Sequence, residues 1–261
     1  VALHLPGETE LRQGAQRSSV LRRLNELVPP TRLIRAIERV DPLPAIAGPI
    51  APVAPPDPAL TGVAAVGRAA PSVVRVVGVA CGLGVSGSGW VGARELVVTA
   101  AHVVAGQEET WVEQDGSGER FEATAVAFDV RNDVAVLRVE GLDAPPLRSV
   151  AASPGRAVAI LGYPGDGGLV ATAGRVGPTT VVLTEDAYGQ GPVARKLTSV
   201  RGRIRHGNSG GPAINARGEV ETTVFAARVG SQGGFGVPSD LVVRALAGAR
   251  GPVSTGDCTG G

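Results

Sequence analysis

Three residue types that can share one reaction stand far apart in this chain, each at the edge of an apolar run. His102 lies in Thr99-Ala100-Ala101-His102-Val103-Val104, directly after the apolar stretch 96–99. Asp133 lies in Asn132-Asp133-Val134-Ala135-Val136-Leu137, directly before another such stretch. Ser209 lies in Gly207-Asn208-Ser209-Gly210-Gly211-Pro212, a turn packed with glycine. A hydroxyl is a poor nucleophile near neutral pH and needs a base to take its proton. An imidazole, with an ordinary pKa of about 6.5, does this when a carboxylate fixes its tautomer and steadies the imidazolium. Glycines leave backbone N–H groups free to face a developing oxyanion. Each residue alone reads as structural: a His beside a strand, an Asp in a turn, a tight glycine loop. Together, in the order His, Asp, Ser and each at a strand end, they point to nucleophilic catalysis at a carbonyl.

Rival chemistries fail on the sequence itself. The serine segment also fits the G-x-S-x-G elbow of α/β-hydrolases, but that arrangement needs a histidine downstream of the serine. The only other histidines are His4 and His206, and none follows Ser209. Three histidines and two distant cysteines show no metal-ligand spacing, so no metal site is expected. Asp129 competes with Asp133 for the carboxylate role, but it lacks the Val-Ala-Val-Leu strand that follows Asp133.

The elements that must position these residues are mostly strands. Segments 73–79, 96–99, 121–128, 134–139, 157–161, 179–184 and 220–226 are rich in Val, Thr and Ile, and Gly, Pro, Asn and Asp separate them. One helix closes the chain, with Ser239 as N-cap and Leu241, Val242, Ala245 and Leu246 on one face. Residues 1–60 differ. Val20, Leu21, Leu24, Leu27 and Val28 recur at helical spacing, and a second short helix carries Leu33, Ile34, Ile37 and Val40. Seven prolines then fall between Asp41 and Pro58. Such a stretch holds neither helix nor central strand and reads as a stiff linker. The expected division is 1–60, helices and linker, and 61–261, a β-rich catalytic domain.

Composition narrows the class further. The 261 residues carry a formal net charge of +1, too balanced for a general nucleic-acid binder. Aromatics make up only 3%, so the core must be aliphatic. No apolar run is long enough to span a membrane, no secretory signal opens the chain, and the absence of methionine suggests a piece of a longer protein. Cys81 and Cys258 allow one intrachain bridge. Two free buried thiols are the alternative, but Cys258 sits in a small, polar tail that offers little to bury it. A bridge would imply an oxidising compartment outside the cytoplasm.

The three motifs resemble the signatures of trypsin-like serine proteases, and Gly234-Phe235-Gly236-Val237-Pro238-Ser239-Asp240 resembles their bacterial HtrA-type branch. More narrowly, the helices, the proline-rich linker and a cysteine at each end of the domain are similar to the actinobacterial membrane-tethered acid-resistance proteases of the periplasm. The resemblance implies an all-β fold of two perpendicular six-stranded barrels with a C-terminal helix. It implies His102 as general base and acid, Asp133 as its orienting carboxylate and Ser209 as nucleophile, with the Gly207 and Ser209 N–H groups as oxyanion hole. By placement, Arg203, His206 and the strand Phe225, Ala226, Ala227 would border the substrate pocket. An Arg203 inside it would favour acidic side chains, whereas one turned to solvent would leave it apolar. Asn208 stands where digestive members carry an Asp that pairs with a new N-terminus, so control must come from loop order or a partner. The implied protein is an extracytoplasmic endopeptidase acting on protein or peptide, with no cofactor, no nucleic acid and a membrane tether in a missing N-terminal part. An inactive protease-fold module that binds a protein partner is the alternative.

Overall fold

The computed structural model describes residues 45–46, 51–80, 83–114, 119–228 and 232–257. The two expected N-terminal helices and both cysteines lie outside the described residues. The elements run β1 (Ala45–Ile46), α1 (Ala64–Ala69), β2 (Val73–Ala80), β3 (Leu83–Ala93), β4 (Leu96–Thr99), α2 (Ala101–Val104), β5 (Gln107–Gln114), β6 (Arg120–Glu122), β7 (Thr124–Asp129) and β8 (Val134–Arg138). The second half holds β9 (Ala157–Gly162), β10 (Val170–Thr184), β11 (Val193–Gly202), β12 (Pro212–Ile214), β13 (Val220–Arg228), β14 (Gly234–Pro238) and α3 (Ser239–Gly248).

These strands form two sheets, as expected of an all-β chain of this kind. The first follows the order β6-β5-β2-β3-β4-β8-β7. The second follows β1-β13-β12-β9-β10-β11-β14, and β14 also pairs with β13, so β9 to β14 close into a six-stranded barrel. The first sheet counts seven strands, with β6 paired to β5 at one edge, and no pairing among the described residues closes it into a barrel. Stretch 121–128, read as one strand, is split between β6 and β7. Strands β3, β5, β11, β12 and β14 carried too little Val and Ile, or too much Gly and charge, to be read from sequence.

Side chains from both sheets share one aliphatic core, with Trp90, Tyr163 and Phe225 fully buried in it. Two of these buried aromatic side chains are among the groups that hydrogen-bond across the halves. Trp90 Nε1 donates to Thr223 Oγ1 at 3.1 Å, and the Tyr163 hydroxyl donates to the Val73 carbonyl at 3.1 Å. Helix α3 begins at Ser239 itself, after Pro238 and without a side-chain cap. Its Leu241, Val242, Ala245 and Leu246 pack on the core as the spacing required. No helix among the described residues is long and apolar enough to cross a membrane.

The described part of the proline-rich stretch is not a free linker. Residues 45–46 add a parallel rung to β13, and Ala51 and Leu60 are buried. Arg175 and Arg201 donate to the carbonyls of Pro55 and Val53 at 2.8 and 2.7 Å. Residues 51–60 pair with no strand, yet their backbone carbonyls, a proline's included, are held by arginine side chains.

Candidate active site

Antiparallel pairing brings the first two residues together. Strands β4 and β8 are neighbours with Thr99 opposite Ala135, so the end of β4 lies beside the start of β8. His102 follows the one on α2, and Asp133 precedes the other. The Asp133 carboxylate grips His102 twice. Its Oδ2 lies 2.7 Å from His102 Nδ1, and its Oδ1 accepts the His102 backbone N–H at 2.8 Å. That N–H belongs to the first turn of α2 and has no partner within the helix. Asp133 holds a left-handed φ of 57°, which short polar side chains tolerate. Its carboxyl is fully buried, which by itself would raise its pKa. The His102 ring, its hydrogen bonds and the Arg195 cation outweigh that and hold the pKa below the ordinary value.

Ser209 arrives from the other sheet, on the loop between β11 and β12. Its carbonyl accepts the Ser88 N–H at 2.7 Å, tying the loop to β3. A Cβ at Gly87 would sit 2.7 Å from Val103 and 3.1 Å from the Ser209 carbonyl oxygen. Glycine there lets α2 and the serine loop converge on one side of β3. The Ser209 hydroxyl and His102 Nε2 are both buried, and neither has a hydrogen-bond partner among the described residues. The two atoms therefore make no hydrogen bond to each other in this structure, and burying an unpaired polar group costs about 1–3 kcal/mol.

The loop before Ser209 is braced at several points. The Ser88 hydroxyl donates to the Gly207 carbonyl at 2.5 Å and accepts the Tyr163 N–H at 2.9 Å. Asn208 is buried, and its Oδ1 accepts the Arg205 N–H at 2.9 Å while its own N–H donates to the Arg205 carbonyl at 3.0 Å. Its side chain thus closes its own loop, a task that needs no charge. Gly207 has φ 89°, and a Cβ there would run into the Tyr163 carbonyl. The N–H groups of Gly207 and Ser209 donate to no acceptor among the described residues.

The remaining sequence candidates fall in distinct places. Asp129 accepts the Asn132 N–H at 2.9 Å and its side-chain amide at 2.7 Å, closing the turn that presents Asp133. Arg203 and His206 are exposed, Ala226 is buried and Ala227 half-buried. The Phe225 ring is fully buried and stacks on Arg195, whose Cζ lies 4.5 Å from the ring centre. Sequence reasoning missed Ile204, Ser88 and Arg195. Ile204, next to Arg203, packs on Val158, Ile160 and Val200 and reaches to 2.7 Å from where a Gly234 Cβ would be. Ser88 hid between two glycines. Arg195 shares strand parity with buried Leu197, the one signal that an inward arginine gives.

Comparison with known proteins agrees with this geometry. A family model described as a trypsin-like peptidase domain matches residues 87–220, which hold all three residues. The chain is 38% identical to the serine protease Rv3671c of Mycobacterium tuberculosis, over 96% of this chain and 67% of that protein. It is 34% identical to a probable periplasmic serine endoprotease, DegP-like, of Ectopseudomonas mendocina, over 60% of this chain and 34% of the other. The crystal structure of the active form of the Rv3671c protease superposes with a TM-score of 0.75 at 38% identity, covering 83% of this chain and 98% of that one. A chain that matches the family model, its relatives and their fold in this way belongs to the trypsin-like serine peptidases and is a serine endopeptidase.

Proposed function

We propose that His102, Asp133 and Ser209 are the catalytic triad and that peptide hydrolysis runs through an acyl-enzyme. His102 Nε2 takes the Ser209 proton as Oγ bonds to the substrate carbonyl carbon, and the Gly207 and Ser209 N–H groups hold the oxyanion. Collapse of the tetrahedral adduct breaks the C–N bond, and His102 gives its proton to the leaving amine. Water then attacks the ester with His102 again as base, releasing the acid and restoring Ser209. The observation that carries this reading is the double grip of Asp133 on His102, which leaves Nε2 as the ring's free nitrogen.

Substrate choice follows the side chains that turn inward. Arg203 faces solvent, and Ile204 lies beside Gly234 in its stead. The primary pocket is therefore apolar and takes a small or medium aliphatic side chain, with Ala226 and Ala227 on its border. Arg203 and His206 act at its rim, and Phe225 acts beneath it through Arg195.

The protein is further read as extracytoplasmic and periplasmic, tethered to the membrane and serving in envelope stress or acid resistance. A relative named as a probable periplasmic endoprotease supports the first of these readings. A Cys81–Cys258 bridge belongs to the same reading. Gly106 donates to the Thr255 carbonyl at 2.9 Å, and Ala80 pairs with Gln107, so the described segments leading to both cysteines meet at one corner. Labelling with a serine-directed phosphonate, with mass spectrometry of the adduct, tests the mechanism. An adduct on Ser209 that disappears in His102→Ala is expected, and an adduct elsewhere ends this reading. Quantitative alkylation of both thiols in unreduced, denatured protein would remove the bridge.

A further inference from the structure

Arg195 is 3% exposed, yet among the described residues no carboxylate forms an ion pair with it. A cation in such a place costs several kcal/mol unless other groups hold it, and an aliphatic residue would fill the same space at less cost. Its donors are instead spent on two segments that meet behind the catalytic carboxylate. Nη1 donates to the Arg131 carbonyl at 3.2 Å, in the turn between β7 and β8 that ends in Asp133. Nη2 donates to the Glu185 carbonyl at 2.7 Å, in the loop between β10 and β11. Nε donates to Thr184 Oγ1 at 2.7 Å, and the plane lies on the Phe225 ring. The two segments touch directly as well. Ala187 donates to the Val130 carbonyl at 3.0 Å, and Arg131 donates back to the Ala194 carbonyl at 2.9 Å.

The loop that receives Arg195 is rigid in its own right. Asp186 Oδ1 accepts the N–H groups of Tyr188 and Gln190, both at 2.9 Å. Tyr188 sets its ring edge-on to Phe128 at 6.1 Å, and its hydroxyl donates to the Thr255 carbonyl in the C-terminal segment. A fork on the second barrel therefore fixes the turn of the first sheet that presents Asp133. The Arg195 charge also reaches the carboxylate, together with those of Asp186 in the loop and Asp129 on β7. Arg131, Lys196 and Arg244 rim the hollow outside.

We infer that Arg195 is a positioning residue of the triad: its fork locks the Asp133 turn to the β10–β11 loop. The inference rests on the triad reading above. The Arg195 cation also favours the ionised form of the Asp133 carboxylate. The lock keeps both carboxylate oxygens on His102, and misplacement of about 1 Å costs on the order of a hundredfold in rate.

The test compares kcat, KM and the downfield proton resonance of the His102–Asp133 bond in the wild type, Arg195→Met and Arg195→Lys, with active sites counted by phosphonate labelling of Ser209. Arg195→Met is expected to lose roughly ten- to hundredfold in kcat with little change in KM. Its downfield resonance should broaden or move, because the turn that carries Asp133 is no longer held. Arg195→Lys keeps the charge without the fork, so its kcat falls several-fold and its resonance moves in the same way. A folded Met variant with the wild-type resonance overturns the proposal, even if its activity drops, because a loss elsewhere in the fold leaves that bond unmoved. Should the Met variant not fold, a Lys variant with wild-type kcat overturns it equally. A wild type that takes no label on Ser209 would refute the triad reading instead.

Discussion

The two halves of the site are held in different ways. His102 and Asp133, both from the first sheet, meet through direct side-chain bonds at 2.7 and 2.8 Å on neighbouring strands. Ser209 and Gly207, from the second barrel, are held mainly at the backbone: their carbonyls accept from Ser88, Asn208 closes the loop, and Gly207 and Gly210 have positive φ. The first half is assembled before substrate arrives, because a buried carboxylate that lost its partner would be left uncompensated. The second half is a loop whose Gly207 and Ser209 N–H groups make no hydrogen bond among the described residues.

The largest effect should come from breaking the second half at its nucleophile. Ser209→Ala removes only a hydroxyl, so the fold should keep its thermal midpoint while turnover falls by on the order of four to six decades. Substantial activity in that variant, free of other proteases, would end the proposed mechanism. Asp133→Asn strikes the first half and should cost roughly four decades by letting His102 take the wrong tautomer. Its kcat is the quantity to follow, with circular dichroism to show that the strand pairing survives.

Gly207→Ala sharpens the difference between the halves. The added Cβ meets the Tyr163 carbonyl at a φ that Ala rarely adopts, so the peptide must turn away from the substrate. Loss of one oxyanion donor costs about two to three decades in kcat. Labelling of Ser209 should slow in parallel, while a spectroscopic probe of the His102–Asp133 bond, such as its downfield proton resonance, should stay where it was. A shift of that resonance would show that the halves are one rigid unit.

Acid should separate chemistry from stability. Neutral imidazole is needed, so kcat/KM should fall by about a decade per pH unit on the acid limb. Asp133, with a folded pKa below its ordinary value, contributes stability that is fully present above the unfolded pKa of about 3.9 and is lost only as pH falls through the lower folded value. Activity should thus vanish first and return on neutralisation, with the fold intact by tryptophan fluorescence. A profile of fully activated protein that stays flat from about pH 8 to about pH 4 would rule out a base with an ordinary pKa.

Much of this was legible in the sequence, and the part that was not has a physical cause. The triad candidates could be read because each sits at a strand end with an apolar run beside it, so type and spacing coincide. Strand β3 could not, since Gly87 and Gly89 stand where neighbouring segments leave no room for a side chain. The packing of residues 51–60 was not legible, because proline density says nothing of arginines that bond backbone carbonyls such as those of Val53 and Pro55. Arg195 offered only its strand parity with Leu197, because the carbonyls of Arg131 and Glu185 that it bonds carry no residue identity.

The smallest effect should fall on the carboxylate next to the one that matters. Asp129 spends both oxygens on Asn132, one on its N–H and one on its side-chain amide. Asp129→Asn keeps the first bond and sets two amide donors against each other in the second, a loss of about 1 kcal/mol at most. The turn still presents Asp133, because Arg195 and the Ala187 N–H hold it from the opposite side. Thermal unfolding should therefore shift by a few degrees, and kcat/KM should change no more than a few-fold. If Asp129→Asn instead costs decades in turnover while Asp133→Asn does not, the orienting carboxylate has been assigned to the wrong end of the turn.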